Sequence, residues 1–127
     1  MPSFRQLESL RVTLDKLVYA PKLETPPERP HPFAYYLTIE NRSDETLTIK
    51  GRKWVVTDAF GHCVVIEGDG VVGKTPRLTP GERFSYHSYH VIASDSVADG
   101  ALFAVNQEGE VVVTRIPRFE MKVPREG

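Results

Sequence analysis

Gly68-Asp69-Gly70-Val71-Val72-Gly73-Lys74-Thr75-Pro76, followed closely by Thr79-Pro80-Gly81-Glu82, is the stretch on which the reading of this chain turns. It satisfies two nucleotide-binding spellings together, G-x-G-x-x-G and G-x-x-x-x-G-K-[ST]. Both work only where the glycine loop runs from a strand into a helix, because phosphate sits on amide N–H groups at the helix N-terminus. The strand is present, since Cys63-Val64-Val65-Ile66-Glu67 is an unbroken β-prone run. The helix is missing. Pro76 holds Thr75 away from helical angles, and Pro80-Gly81 turns the chain again before any amphipathic helix could form. The stretch therefore reads as a glycine-rich corner between strands, in which Gly68, Gly70 and Gly73 supply positive φ angles or close backbone approach.

Outward from the corner, the flanking sequence has the two-residue period of half-buried strands. Upstream, Phe33 to Asn41 sets Phe33, Tyr35, Leu37 and Ile39 on one face and Ala34, Tyr36, Thr38 and Glu40 on the other. Asn41-Arg42-Ser43-Asp44 turns the chain, and Leu47 with Ile49 continues the alternation, which predicts an antiparallel hairpin. Lys53 to Asp58 and His62 to Glu67 form a second pair around Ala59-Phe60-Gly61. Downstream, Phe84 and Tyr86 share a face, and a bulge near Tyr89 would return Val91 to the core. Ser94 to Gly100 is small, polar and acidic and reads as a loop. Ala101 to Gln107 and Glu110 to Ile116 join across Glu108-Gly109 as a hairpin. The last strand points Phe119, Met121 and Val123 inward.

At the N-terminal side, residues 1–9 read as a short extension with a turn leading into a strand from Leu10. After Leu14 the apolar phase flips to Leu17 and Tyr19, as one extra residue in a bulge would cause. Ala20 to Pro32 holds five prolines with charges between them and reads as an exposed, extended loop. Short strands at this spacing, with no sustained helical period, predict an all-β antiparallel sandwich.

At 127 residues and 14.3 kDa the chain suits a single domain spanning 1–127, large enough for one core without disulfides. A net charge of −1 and a pI near 6.4 give no overall basic field for nucleic acid or acidic membranes. No apolar run is long enough to span a bilayer, so no membrane insertion is expected. The lone Cys63 and the absence of a signal peptide point to a reducing cytoplasm.

With the strands placed, the order of residues resembles a known family. Ile39-Glu40-Asn41-Arg42-Ser43 and Arg52-x-Trp54-x-x-Thr57-Asp58-x-x-Gly61 are similar to the ApaG family, the DUF525 domain. Gly68-x-Gly70-Val71-Val72-Gly73-x-x-Pro76-x-Leu78-x-Pro80-Gly81-Glu82-x-Phe84-x-Tyr86-x-Ser88 resembles its central signature, and Ile116-Pro117-x-Phe119 its closing strand. The resemblance runs from about Leu10 to Val123 and implies a fibronectin type III-like or immunoglobulin-like sandwich. It also implies a non-enzymatic role: bacterial members are associated genetically with cobalt tolerance and magnesium efflux, and eukaryotic relatives are interaction modules in an F-box protein and a polymerase-delta-interacting protein. Lys53 stands where a histidine is common in the family. Tyr89-His90 and the following Ser94 to Gly100 also depart from its usual glycine- and methionine-containing stretch.

The residues allow several chemistries to be weighed. Metal ligands could come from His31, His62, Cys63, His87 and His90 with Asp58, Glu67, Asp69, Asp95 and Asp99. Adjacent His62 and Cys63 point to opposite faces of a strand, however, and His87 and His90 differ in parity, so no dedicated metal site or cofactor is expected. Glu67 and Asp69 could at most hold Mg²⁺ weakly. Ser85, Ser88, His87 and His90 cluster without a nucleophile elbow or an orienting carboxylate, so no catalytic residue is assigned. Trp54 suits either a core position or a binding face. The preferred expectation is a protein partner bound at an interaction face of Tyr36, Arg42, Arg52 and Tyr89, residue types enriched at binding hot spots. The alternative is a pyrophosphate or nucleotide-phosphate ligand in a backbone nest made by Gly68, Gly70 and Gly73 beside Lys74 and Arg77. An exposed sheet edge would also allow two copies to pair as a homo-oligomer.

Overall fold

The computed structural model describes residues 4–125. Nine strands follow in order: β1 (Phe4–Gln6), β2 (Leu10–Tyr19), β3 (His31–Asn41), β4 (Leu47–Asp58), β5 (Cys63–Asp69), β6 (Arg77–Leu78), β7 (Arg83–Ile92), β8 (Ser96–Val105) and β9 (Val111–Met121). They form two packed sheets. The larger has the order β1-β9-β8-β4-β5, with β6 added to β4, and the smaller is β2-β3-β7. This is the sandwich the alternating pattern predicts. Phe4–Gln6 of the N-terminal extension adds the one parallel pairing among the described residues, to Val111–Val113 of β9.

The faces follow the sequence closely. Phe33, Tyr35, Leu37 and Ile39 are buried while Tyr36 is exposed. The phase flip in β2 is a register shift between Leu14 and Lys16, so the extra residue lies where the apolar pattern required it. Trp54 is only 1% exposed and is a core residue, packed edge-on to Phe119 at 5.6 Å between ring centroids. Burying such a side chain contributes roughly 1.5–3 kcal/mol.

Three local expectations are corrected. β3 and β4 are not a hairpin: β3 lies between β2 and β7, while β4 lies between β8 and β5 in the opposite sheet. Alternation fixes which face a residue takes and not which strand it pairs with. The Ser94–Gly100 segment is mostly strand, because β8 begins at Ser96 with Ser96 and Ala98 turned inward. Its small residues fit against the core, and a register shift between Ala98 and Gly100 absorbs the irregularity. No bulge occurs near Tyr89. β7 pairs with β3 without a shift from Arg83 to Ile92, so His90 and Ile92 turn inward and Val91 does not.

The crossing from β3 to the other sheet is held by Asn41, which is fully buried. Its Nδ2 donates to the Glu45 and Leu78 carbonyls at 2.7 and 2.9 Å, and its Oδ1 accepts from the Ser43 amide and hydroxyl at 3.0 and 2.6 Å. Its backbone also bonds to Glu82 and Gly81. One side chain thus ties the 41–46 turn to β6 with its polar atoms satisfied, as burial demands.

Candidate functional site

The glycine corner is assembled from the end of β5 and a tight turn. Val71 and Lys74 exchange both backbone hydrogen bonds, at 2.8 and 3.0 Å, across Val72 (φ 45°) and Gly73 (φ 77°). Two successive positive φ angles define a type I′ turn. Gly70 (φ 62°) donates to the Lys50 carbonyl, and a Cβ there would collide with the Lys74 carbonyl oxygen. Val71 is consequently driven fully into the core, while Val72 is left 46% exposed. Gly68 serves another purpose: a Cβ on it would lie 2.6 Å from the Arg52 guanidinium, which donates to the carbonyls of Asp69 and Gly70 at 3.1 and 3.2 Å. The amides of Gly70, Val71 and Lys74 are therefore already engaged within the protein, and no helix follows. Lys74 and Arg77 are exposed beside the turn. Each glycine has the role of positive φ or close approach that the failed helix implied.

The proposed interaction face is only partly one surface. Tyr36 and Tyr89, 36% and 42% exposed, share the outer face of β2-β3-β7 with His87, which pairs with Tyr36 across the strands and stacks on it at 5.1 Å. Lys16 lies over the other part of that patch, 5.7 Å from the Tyr36 ring centroid. The Tyr89 hydroxyl donates to the Glu24 carbonyl at 3.3 Å, which anchors the proline-rich loop to this sheet. Arg42 sits at the end of the same sheet, bonded to Glu40, which Arg83 also contacts. The Arg42 hydrogen bond, with help from Arg83, holds the Glu40 carboxyl below its ordinary range despite partial burial. Arg52 belongs elsewhere, on the opposite sheet, where it fastens the glycine corner.

The candidate metal and hydrolase residues are dispersed. Among the described residues no group of three or more His, Cys, Asp or Glu side chains is placed to hold a metal ion. His31 Nδ1 is 2.9 Å from the Tyr19 hydroxyl, and His62 Nδ1 is 3.2 Å from Asp58. Burial pulls the Asp58 carboxyl upward, but the amides of His62 and Phe60 and the His62 ring outweigh it and leave the net shift downward. Cys63 is exposed beside the Thr57 hydroxyl. Glu67 pairs with Lys53, Asp99 lies 3.9 Å from Arg118, and Asp95 accepts the Val123 amide. Ser85 bonds to Thr38 on the outer face, where His87 also lies, whereas His90 points inward. No described serine–histidine pair meets.

His90 marks a place that the sequence reading missed. Between the edge strands β5 and β7 a groove of about 270 Å³ is lined by Val56, Val64, Ile66 and Ile92 with Arg29, Asp58 and His62. His90 also lines it, yet is only 4% exposed. Its ring stacks on Tyr35 at 4.8 Å and meets Trp54 edge-on at 4.7 Å, and its Nε2 has no hydrogen-bond partner. Burial lowers its pKa from 6.5 to about 4, so it is neutral at pH 7. The signal was available: carrying the Phe84-Tyr86 parity on without a bulge places His90 inside.

Comparison with known proteins agrees with this architecture. A Shewanella loihica ApaG protein is 37% identical over 122 residues, covering 94% of this chain and 96% of that protein. One from Acidithiobacillus ferrooxidans is 36% identical over 104 residues, covering 81% and 82%. The solved structure of the Bordetella pertussis ApaA protein superposes with a TM-score of 0.78 at 27% identity, over 94% of this chain and 99% of that one. A structural genomics target, SoR45, gives 0.80 at 30% identity, over 91% and 88%. The sequence profile of the ApaG domain, DUF525, matches residues 21–103, and the chain belongs to the ApaG family.

Proposed function

We propose that this chain is a non-enzymatic binding domain that recognises another protein through the outer face of β2-β3-β7, in a pathway touching divalent-cation homeostasis. The observation that carries the reading is the exposure of Tyr36 and Tyr89 on one sheet face, on either side of His87. A paired sheet holds these rings with little freedom left to lose on binding, and large amphipathic rings on a rigid support are efficient contact residues. The Arg42-Glu40-Arg83 cluster gives one end of the face a charged border. The link to cation homeostasis is supported by kinship alone. An exposed Cys63 without a disulfide partner suits a reducing cytoplasm, and no helix among the described residues is long and apolar enough to cross a membrane.

The test is affinity capture from cell extract with the unaltered protein, a Tyr36→Ala/Tyr89→Ala protein and a Lys74→Ala/Arg77→Ala protein. A partner retained by the first and third but lost by the second supports the face. Loss only in the third would move the site to the glycine corner.

A further inference from the structure

We propose that β5 is the pairing edge for a second copy of this chain, with two β5 strands joining antiparallel about a twofold axis at Val65 into one continuous sheet. The hydrogen-bond phase of the strand sets the axis. Asp58 N donates to His62 O at one end and Gly70 N to Lys50 O at the other, in the same β4–β5 register. In an antiparallel ladder the intervening residues alternate. Val64, Ile66 and Gly68 therefore bond to β4, while Cys63, Val65, Glu67 and Asp69 turn their N–H and C=O groups outward, where no strand follows. Arg52 already caps the Asp69 carbonyl. What remains open is Cys63, Val65 and Glu67, three residues symmetric about Val65.

That edge is self-complementary. With Val65 opposite Val65 of the second copy, Cys63 faces Glu67 and Val64 faces Ile66, so no like charges meet and about six backbone hydrogen bonds form. Centring the pair on Glu67 would set two carboxylates opposite each other, and centring it on Cys63 would place Val65 against Gly61. The edge also lacks the usual protections of a charge, a proline or a bulge over Cys63-Val64-Val65-Ile66. The other edges differ: β1 is three residues long, β2 has its bulge with Asp15 and Lys16, and β7 alternates serine, histidine and tyrosine. Val64 and Val65 are 42% and 54% exposed on opposite faces of the strand. Pairing covers both. Because Val64 lines the groove beside His90, Ile66 of the second copy supplies the wall that the groove lacks.

Sedimentation velocity across a concentration series up to about 100 μM tests the pairing, together with two cysteine placements. The unaltered protein is expected to shift reversibly from 14.3 kDa to twice that mass. Val65→Lys sets two ammonium groups opposite each other and should weaken association by about tenfold or more. Under mild oxidation Cys63→Ser/Val65→Cys should cross-link, since facing Cα atoms near 5.5 Å suit a disulfide. Cys63→Ser/Val64→Cys should not, and it keeps the question open to test if the lysine variant folds poorly. A monomer at every concentration overturns the proposal, as does a dimer that survives Val65→Lys or cross-links equally at both positions. Tyr36→Ala/Tyr89→Ala should leave the dimer intact, which separates this result from failure of the outer-face reading.

Discussion

The glycine corner and the groove beside His90 are built on the same edge strand, yet their chemistry is opposite. The corner carries a familiar spelling, but its amides at Gly70, Val71 and Lys74 and its carbonyls at Asp69 and Gly70 already have partners within the protein. The groove spells nothing, but it contains a buried imidazole nitrogen without a partner and an open apolar wall. Capacity to bind resides in groups that folding leaves unsatisfied, and a motif whose amides at Gly70, Val71 and Lys74 are spent on its own backbone is a folding device. Here the device turns Val71 into the core and gives Arg52 carbonyls to hold.

This contrast can be broken most forcefully at Gly70. Gly70→Ala combines a positive φ with a backbone collision and should cost about 4 kcal/mol, read as a fall in the denaturant midpoint. Gly73→Ala meets open space in the same turn and should cost only about 1 kcal/mol. Equal losses would refute the distinction between collision and φ strain.

The groove side is sharpened by pH. His90 titrates near 6.5 when unfolded and at about 4 when folded, so the unfolded chain binds a proton that the native state refuses. Its contribution is complete above pH 6.5, declines as the pH falls towards 4 and is then exhausted, amounting to about 3 kcal/mol. His90→Phe should flatten the stability profile between pH 6.5 and about 4.5. The acid slope below that should persist, because Glu40, Glu45, Asp58 and Glu82 have lowered pKa values and lose stabilisation on protonation.

Two smaller effects concern the tip of the turn. Val72 is a β-branched residue at φ 45°, so Val72→Gly should raise stability by about 1 kcal/mol if the strain relieved exceeds the added chain entropy. A lower melting temperature would show that the valine is held there by contacts worth more than its strain. Lys74→Ala should change stability by less than about 0.5 kcal/mol, as for other exposed side chains outside any network.

Much of the fold was legible because alternation is a local signal. Phe33 to Ile39, the bulge after Leu14 and the Phe119-Met121 face each follow from side-chain period alone. Pairing was less legible. The jump from β3 to β4 depends on Asn41, whose partners include Leu78, far along the chain, and one polar residue in a turn announces no such contact. Small residues concealed the start of β8, since Ser96 and Ala98 look like loop until the ring-filled core makes smallness useful. Of the candidate face, Tyr36 and Tyr89 were found by parity. Arg52 was misplaced because alternation does not say which sheet a strand joins, and β4 lies in the sheet opposite Tyr36 and Tyr89. His90 was hidden by a bulge the chain does not make.

The most direct measurement is isothermal titration of the purified protein with pyrophosphate, alongside Lys74→Ala. A structural corner should give no heat beyond dilution in either protein, because its amides at Gly70, Val71 and Lys74 are engaged within the protein. Micromolar binding that disappears in Lys74→Ala would contradict this and make the glycine corner an anion site.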